Sequence, residues 1–225
     1  MRIVECIQRS EEWNNQRLGI PTASGFSKII TSTGARSKQR EGYMYALAAE
    51  RVSGRKDETF SSANMAEGIL REQESRMIYA MTRRVEVVEV GFCLEDGGRW
   101  GCSPDGLVGD DGLVELKNPM GKTAVEYLLK GTLPSTYFHQ VQGQMMVTER
   151  AWCDFVSHYP GLPLLVLRVE RDESFIGKLE AELAIFSEEL DVICRRLNGE
   201  LFEITAGNLT AEGVTVGDPF DTPLL

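Results

Sequence analysis

The sequence is poor in histidine, has no closely paired cysteines and contains no long apolar run. Its only two histidines are His139 and His158, which argues against a histidine-rich metal site. The five cysteines are widely spaced and form no CxxC motif, so we expect reduced, mostly buried thiols rather than a zinc site or a disulfide framework. Any bound metal would therefore have oxygen ligands, which is typical of Mg²⁺, Mn²⁺ or Ca²⁺.

No apolar stretch approaches the roughly 20 residues that a membrane-spanning helix needs. The first residues, MRIVECIQRSEEW, lack the apolar core of a signal peptide. We therefore expect a cytosolic protein without membrane contact. The 225 residues are 42% hydrophobic and 26% charged, which excludes a disordered chain. At roughly 150 residues per domain, we predict one domain over residues 1–200 and a loosely packed tail over residues 201–225.

Charge is distributed unevenly along the chain. Of the formal net charge of −10, residues 170–225 carry −9, and residues 1–169 carry only about −1. Residues 28–56 contain seven basic and two acidic side chains. We interpret this asymmetry as a basic N-terminal face that could meet phosphates, with the acidic C-terminal region directed away from it.

Helical and strand periodicities alternate along the sequence. Helical patterns cover residues 10–19, 22–30, 40–52, 64–81, 123–130, 135–147 and 174–197. Strand patterns cover residues 85–92, 99–102, 113–117, 152–158 and 164–169, with tight turns at 95–98 and 109–112. This order predicts a mixed α/β (α+β) fold with a central mixed sheet flanked by helices, in which the first three strands form a meander.

Two carboxylates and one amine are predicted to meet at a hairpin. Asp105 would end one strand, and Glu115 would lie on the hairpin partner after nine intervening residues. Glu115 and Lys117 are two positions apart and so project from the same face of a strand. The carboxylates of Asp105 and Glu115, together with the Leu116 carbonyl, are predicted to form an oxygen-ligand site for a divalent cation.

The chemistry that fits this cluster is phosphodiester hydrolysis. Lys117 beside a cation would orient or deprotonate the attacking water, and its pKa would be lowered. Each piece alone is also typical of ordinary turn chemistry or of a solvated ion pair. Only their joint spacing indicates a site.

The order Pro-Asp, nine residues, Glu-Leu-Lys resembles the active-site motif of the PD-(D/E)xK nuclease superfamily. More narrowly, the chain is similar to the family of phage lambda exonuclease and YqaJ-type viral recombinases over about residues 10–170. The matching segments are residues 13–24, the helix that carries Gly68 and Glu72, residues 102–107, residues 114–119 and residues 140–142.

This resemblance implies a restriction-endonuclease-like core and an Mg²⁺-dependent, ATP-independent exonuclease. Such an enzyme degrades the 5′-ended strand of linear double-stranded DNA in the 5′-to-3′ direction, releases mononucleotides and leaves 3′ overhangs. The resemblance further implies two Mg²⁺ ions, for which Mn²⁺ can substitute, and a ring-shaped homotrimer around DNA. It also implies a single-strand annealing protein as the recombination partner, in the cytosol of a bacterium or a phage-infected host.

Carried over by position, the resemblance implies that Asp105, Glu115 and the Leu116 carbonyl bind metal, and that Lys117, Glu115, Asp105, Glu72 and Gln140 form the catalytic set. Two alternatives stay open. Glu72 could be an i,i+4 partner of Arg76 on a solvated face, and Gln140 could be a polar residue of a surface helix. Related nucleases often carry Tyr four residues after this Gln, whereas this chain has Gln144.

The resemblance also implies a pocket for the terminal 5′-phosphate, formed by Arg17, Thr22, Ser24 and Ser103. Arginine binds phosphate oxygens with two donors, hydroxyls donate, and helix N-termini attract anions. As alternatives, Arg17 could form a surface ion pair, and each hydroxyl could make only a helix-cap or turn hydrogen bond. Arg36 and Lys122 are further DNA-contact candidates, although the loop around Arg36 differs in length from that of the family.

Two other function classes compete with the exonuclease. A PD-(D/E)xK endonuclease would use the same chemistry but would cut circular plasmid, which an exonuclease leaves intact. A non-catalytic DNA-binding module would bind DNA in a salt-sensitive way without turnover. A pocket for a 5′-phosphate end favours the exonuclease.

Overall fold

The computed structural model describes residues 1–56 and 64–198. The α-helices in this part are α1 (Glu11–Gln16), α2 (Arg40–Ser53), α3 (Asn64–Arg83), α4 (Gly121–Lys130), α5 (Ser135–Thr148) and α6 (Glu173–Leu197), and a 3₁₀ helix covers Ala23–Lys28. The strands are β1 (Arg2–Val4), β2 (Val87–Val88), β3 (Phe92–Leu94), β4 (Gly101–Cys102), β5 (Gly106–Val108), β6 (Gly112–Lys117), β7 (Trp152–Ser157) and β8 (Leu165–Glu170).

The central sheet has five strands in the order β2-β5-β6-β7-β8. β6 and β7 are parallel, and the remaining neighbours are antiparallel. The parallel pair aligns Val114 with Asp154 and Lys117 with Ser157. This arrangement confirms the predicted mixed sheet with flanking helices.

The predicted three-strand meander is wrong. β4 pairs with β3 in a separate sheet of order β1-β3-β4, and the hairpin partner of β6 is the short strand β5. Pro104, which lies between β4 and β5, has no N–H with which to continue a ladder. The chain therefore passes from one sheet to the other at residues 103–105.

The two faces of β6 are covered by different helices. Leu113 packs with Val141 and Met145 of α5, whereas Val114 and Leu116 pack with Tyr79 of α3. Because side chains alternate along a strand, Glu115 and Lys117 lie on the face that α5 covers. Helix α5 is therefore positioned to supply side chains to the site.

A second core joins the 3₁₀ helix, α2 and α6. Its largest fully buried side chains are Phe26, Ile29, Ile30, Leu179, Leu183, Phe186 and Leu190. Ion pairs also hold this layer together: Arg40 Nε lies 2.8 Å from Glu182, and Arg51 Nη1 lies 2.5 Å from Asp191. The interpretation that the acidic C-terminal region faces away from the basic segment is therefore wrong, because α6 neutralises part of that segment.

The remaining elements follow the sequence closely. Predicted helix bounds agree to within two residues for α2 to α6, whereas the helix predicted over residues 10–19 ends earlier, at Gln16. Residues 22–30 form a 3₁₀ helix over Ala23–Lys28. All five cysteines are free thiols, and all except the half-buried Cys6 are buried, as expected. Within the described ranges, no helix is both long and apolar enough to cross a bilayer. The predicted tail over residues 201–225 lies outside the described residues.

Candidate active site

The structure brings Asp105, Glu115 and Lys117 together at the end of β6. Asp105 lies in the connection between β4 and β5, and its Oδ2 accepts a hydrogen bond from the Leu116 N–H at 2.7 Å. Lys117 Nζ donates to Glu115 Oε1. The ammonium also lies 4.9 Å from the centre of the Tyr137 ring. The hairpin therefore places two carboxylates beside one amine, as the spacing predicted.

Glu115 is a buried carboxylate held by three donors. Its side chain is 1% exposed, which rules out a solvated Glu-x-Lys ion pair. Besides Lys117, it accepts from Gln140 Nε2 at 2.6 Å on Oε1 and from Gln144 Nε2 at 2.7 Å on Oε2. Such charge-assisted bonds are what allow a carboxylate to be buried. Gln140 thus contacts Glu115 of the cluster and is not merely a polar residue on the surface of a helix.

Glu72 lies at the edge of this cluster, held by two arginines. Arg76 Nη2 donates to Glu72 Oε1 at 3.1 Å, which is the i,i+4 pair considered above, and Arg9 Nη2 donates to Glu72 Oε2. Arg76 Nε also donates to the carbonyl of Asp105 at 3.0 Å. Arg76 therefore links the helix that carries Glu72 to the turn that carries Asp105.

Burial and neighbouring charges both shift the pKa values of Asp105 and Lys117. Burial raises the pKa of Asp105 well above its ordinary value, and the charges of Glu115 and Glu72 raise it further. Burial lowers the pKa of Lys117, but the charges of Glu115 and Asp105 and the bond to Glu115 outweigh this effect, so the net shift is upward. The lowered pKa of Lys117 is predicted for a site that holds a cation, and it stays a prediction. The carboxylates of Asp105 and Glu115 together favour more positive charge nearby than the single Lys117 ammonium provides.

The donor set fits a hard divalent cation. Asp105, Glu115 and the Leu116 carbonyl offer only oxygen, and Mg²⁺ in proteins commonly takes one or two carboxylates and keeps several waters. The raised pKa of Asp105 also shows an environment that a cation would relieve. Over residues 1–56 and 64–198, no three His, Cys, Asp or Glu side chains converge on one point. Glu72 is a neighbour of the two acids and is paired with Arg9 and Arg76.

Arg17 and Ser103 form a second polar site. Ser103 is two positions before Asp105 in the sequence. Ser103 Oγ accepts from Trp13 Nε1 at 2.9 Å and from Arg17 Nη1 at 3.1 Å. The Arg17 guanidinium carbon lies 3.8 Å from the centre of the Trp13 ring. Burial lowers the pKa of Arg17, and no carboxylate in the described part of the chain forms a salt bridge with it. The alternative of a surface ion pair is therefore not observed there.

Thr22 and Ser24 line the same cavity as Arg17. This cavity has a volume of about 240 Å³ and is also lined by Lys28, Tyr43 and Lys56. The two hydroxyl oxygens are 3.3 Å apart. Thr22 precedes the 3₁₀ helix, but its side chain makes no capping bond, so the capping alternative does not account for it.

The other two DNA-contact candidates lie elsewhere. Arg36 Nε is 3.0 Å from Glu182 of α6, and Arg36 Nη1 is 3.8 Å from Glu189. Lys122 is exposed in the first turn of α4, shortly after β6. The structure therefore does not bring Arg36 into the cluster, whereas Lys122 follows the strand that carries Lys117.

Several residues at the site were not identified from the sequence. Gln144 was noted only as a departure from a family pattern, and Arg9 had no signal, since its contact with Glu72 spans 63 positions. Lys28 and Lys56 belong to the basic segment, but nothing local placed them beside Arg17. His158 is also near the site: its backbone N–H donates to the Lys117 carbonyl at 3.0 Å, and its ring Nδ1 lies 3.2 Å from Ser75 Oγ.

Comparison with known proteins agrees with this geometry. The sequence profile of the YqaJ-like viral recombinase domain matches residues 12–151. The structure of the alkaline exonuclease LHK-Exo from Laribacter hongkongensis is similar with a TM-score of 0.75 and 35% identity, covering 84% of this chain and 96% of that one. LHK-Exo in complex with dAMP gives the same TM-score and coverage at 36% identity.

A more distant structure shows the fold alone. The phage-related exonuclease from Haemophilus somnus 129PT has a TM-score of 0.61 and 15% identity, covering 82% of this chain and 99% of that one. No curated protein matches the chain significantly.

Proposed function

The chain belongs to the YqaJ-like viral recombinase family and is a nuclease of that family, and we propose that it is an Mg²⁺-dependent, ATP-independent 5′-to-3′ exonuclease. Its substrate is linear double-stranded DNA with 5′-phosphorylated ends. It degrades the 5′-ended strand to mononucleotides and leaves 3′ overhangs. The complex of the related LHK-Exo with dAMP, a deoxymononucleotide, supports mononucleotide release.

The main support for this proposal is that the site formed by Arg17 and Ser103 is close in sequence to the carboxylate cluster that contains Asp105. Ser103, which holds Arg17, is two residues from Asp105, so their backbones are at most about 7 Å apart. A phosphate bound by Arg17, Thr22, Ser24 and Ser103 would therefore lie close to the carboxylates. A DNA end would be held with its first internal phosphodiester near the reacting groups, which supports release of single nucleotides.

Asp105, Glu115 and the Leu116 carbonyl would hold the cation, whose chemistry there is to polarise the phosphoryl group and acidify water. Lys117 Nζ donates to Glu115, which places this amine beside the proposed ligands of the cation. We therefore assign it the stabilisation of negative charge that develops on the phosphate oxygens. Gln140 and Gln144 hold Glu115 in place.

The assembly and the partner are proposed on family membership. We propose a ring-shaped homotrimer that encloses DNA, two Mg²⁺ ions that Mn²⁺ can replace, and a single-strand annealing protein as partner. We also propose that residues 1–200 act as a single nuclease domain in the cytosol. Arg36 and Lys122 remain proposed DNA contacts.

Digestion of matched DNA ends tests the activity. We expect Mg²⁺-dependent release of mononucleotides from a 5′-phosphorylated linear duplex, slower release from the 5′-hydroxyl duplex, and none from closed circular plasmid. Lys117→Ala should abolish release while leaving DNA binding in place. Cutting of the plasmid would instead identify an endonuclease, and DNA binding without turnover in Mg²⁺ or Mn²⁺ would identify a non-catalytic module.

A further inference from the structure

Gln144 stands out as an incompletely satisfied polar side chain next to the carboxylates. It is 1% exposed on α5, and its Nε2 donates to Glu115 Oε2 at 2.7 Å. Its Oε1 is buried and has no hydrogen-bond partner among the described residues. Buried polar atoms are almost always paired, so one left open beside a reactive group calls for an explanation.

The hydrogen bonds to Glu115 leave one acceptor position open. A carboxylate has about four such positions, two on each oxygen. Lys117 and Gln140 both donate to Oε1, whereas Gln144 alone donates to Oε2. In the part of the chain that the structure describes, the position left free is therefore on Oε2, next to the Gln144 amide.

Packing alone does not require glutamine here. The α5 neighbours that face the sheet core, Val141 and Met145, are apolar and fully buried. An apolar side chain of similar length would fill the same space without an unpaired carbonyl. The polar group must therefore serve Glu115.

We propose that Gln144 is a positioning residue for the divalent cation. Its amide N–H fixes the Glu115 carboxylate so that the open position on Oε2 is directed into the site. Its Oε1 is left to accept a hydrogen bond from water in the loaded site. This inference rests on the proposed metal-dependent nuclease function and adds a residue to it.

Gln142 provides a matched control on the same helix. It is also 1% exposed, but both ends of its amide are paired away from the site. Its Nε2 donates to the Glu170 carbonyl at 2.9 Å, and its Oε1 accepts from the Asp172 N–H at 2.8 Å. Gln142 thus joins α5 to the end of β8 and has a purely structural role.

The test compares Gln144→Met with Gln142→Met in the full-length protein. Mn²⁺ binding is measured by electron paramagnetic resonance without DNA, thermal unfolding is measured without metal, and digestion of a 5′-phosphorylated duplex is followed at increasing Mg²⁺. Mutation of a residue that hydrogen-bonds a metal ligand typically lowers metal affinity or activity by about 10–100-fold. We expect Gln144→Met to weaken Mn²⁺ binding by that factor. Its loss of melting temperature should be the smaller of the two variants, because the substitution removes the unpaired Oε1 together with the donor to Glu115.

Gln142→Met should show the larger loss of melting temperature, because both of its hydrogen bonds are lost, with Mn²⁺ affinity within about twofold of the parent. If Gln144→Met does not fold, Gln144→Asn replaces it, because its amide is one methylene too short to reach Glu115. Parent-like Mn²⁺ affinity in a folded Gln144 variant, with the parent active, would overturn this inference alone. A parent that neither binds Mn²⁺ nor degrades DNA would overturn the proposed function and the inference together.

Discussion

Replacing Arg17 with alanine removes the one cation that Ser103 and Trp13 hold in place. Arg17 Nη1 donates to Ser103 Oγ at 3.1 Å, and the guanidinium lies 3.8 Å from the Trp13 ring centre. No described carboxylate forms a salt bridge with it, so its remaining donors are available to a phosphate. The substitution should therefore remove recognition of the DNA end and leave the metal ligands intact.

The expected size follows from one lost charge-assisted contact. A hydrogen bond to a charged group contributes about 1.5–3 kcal/mol, and each 1.4 kcal/mol is about tenfold. Arg17→Ala should therefore slow digestion of 5′-phosphorylated ends by roughly 10–100-fold. Arg17→Lys keeps the charge but loses the two-pronged geometry, so its rate should fall between those of the parent and Arg17→Ala.

The assay compares initial rates on duplexes that differ only in the 5′ group. The parent should prefer the phosphorylated end, and Arg17→Ala should digest both ends at nearly the same slow rate. Mn²⁺ affinity should not change, which separates this effect from damage to the carboxylates. Equal rates for the parent and Arg17→Ala on phosphorylated ends would refute the phosphate pocket.

Two further predictions concern stability. Because the pKa of Asp105 is raised, its stabilising contribution is complete below the ordinary aspartate pKa and is lost as pH rises through the raised value. Asp105→Asn removes this ionisation. It should therefore raise the melting temperature of the metal-free protein, followed by circular dichroism, more at pH 8 than at pH 5. Tyr79→Phe removes the hydroxyl that donates to buried Asp154 at 2.8 Å, so thermal unfolding should show a loss of about 2 kcal/mol, or roughly 4–8 °C, with digestion at 25 °C unchanged.

Each stability prediction has its own contrary result. An Asp105→Asn gain that is equal at both pH values would show that carboxylate ionisation does not destabilise the site. A Tyr79→Phe variant that melts with the parent would show that other partners of Asp154, such as Arg168, already satisfy it.

The central cluster could be predicted because its causes are local. Two-residue periodicity places Glu115 and Lys117 on one face of a strand, and a Gly-Asp-Asp-Gly turn brings the chain back toward Asp105. The three residues of β5 are too few to show a period, so the hairpin was assigned to the wrong strand. Arg9 reaches Glu72 across 63 positions, and no local pattern contains such a contact.

Charge patterning was informative but ambiguous. The excess of acids after residue 170 was interpreted as a surface turned away from the basic segment. The structure shows instead that Glu182 and Asp191 attract Arg40 and Arg51 into the interface between α2 and α6. Opposite charges distant in sequence can separate or pair, and composition alone does not distinguish the two.

A crystal soaked in Mn²⁺ tests the metal centre most directly. We expect an anomalous peak bonded to Asp105, to an oxygen of Glu115 and to the carbonyl of Leu116, with Lys117 beside it. A peak bound elsewhere, or an empty site between the two carboxylates under conditions in which the enzyme degrades DNA, would contradict this metal centre.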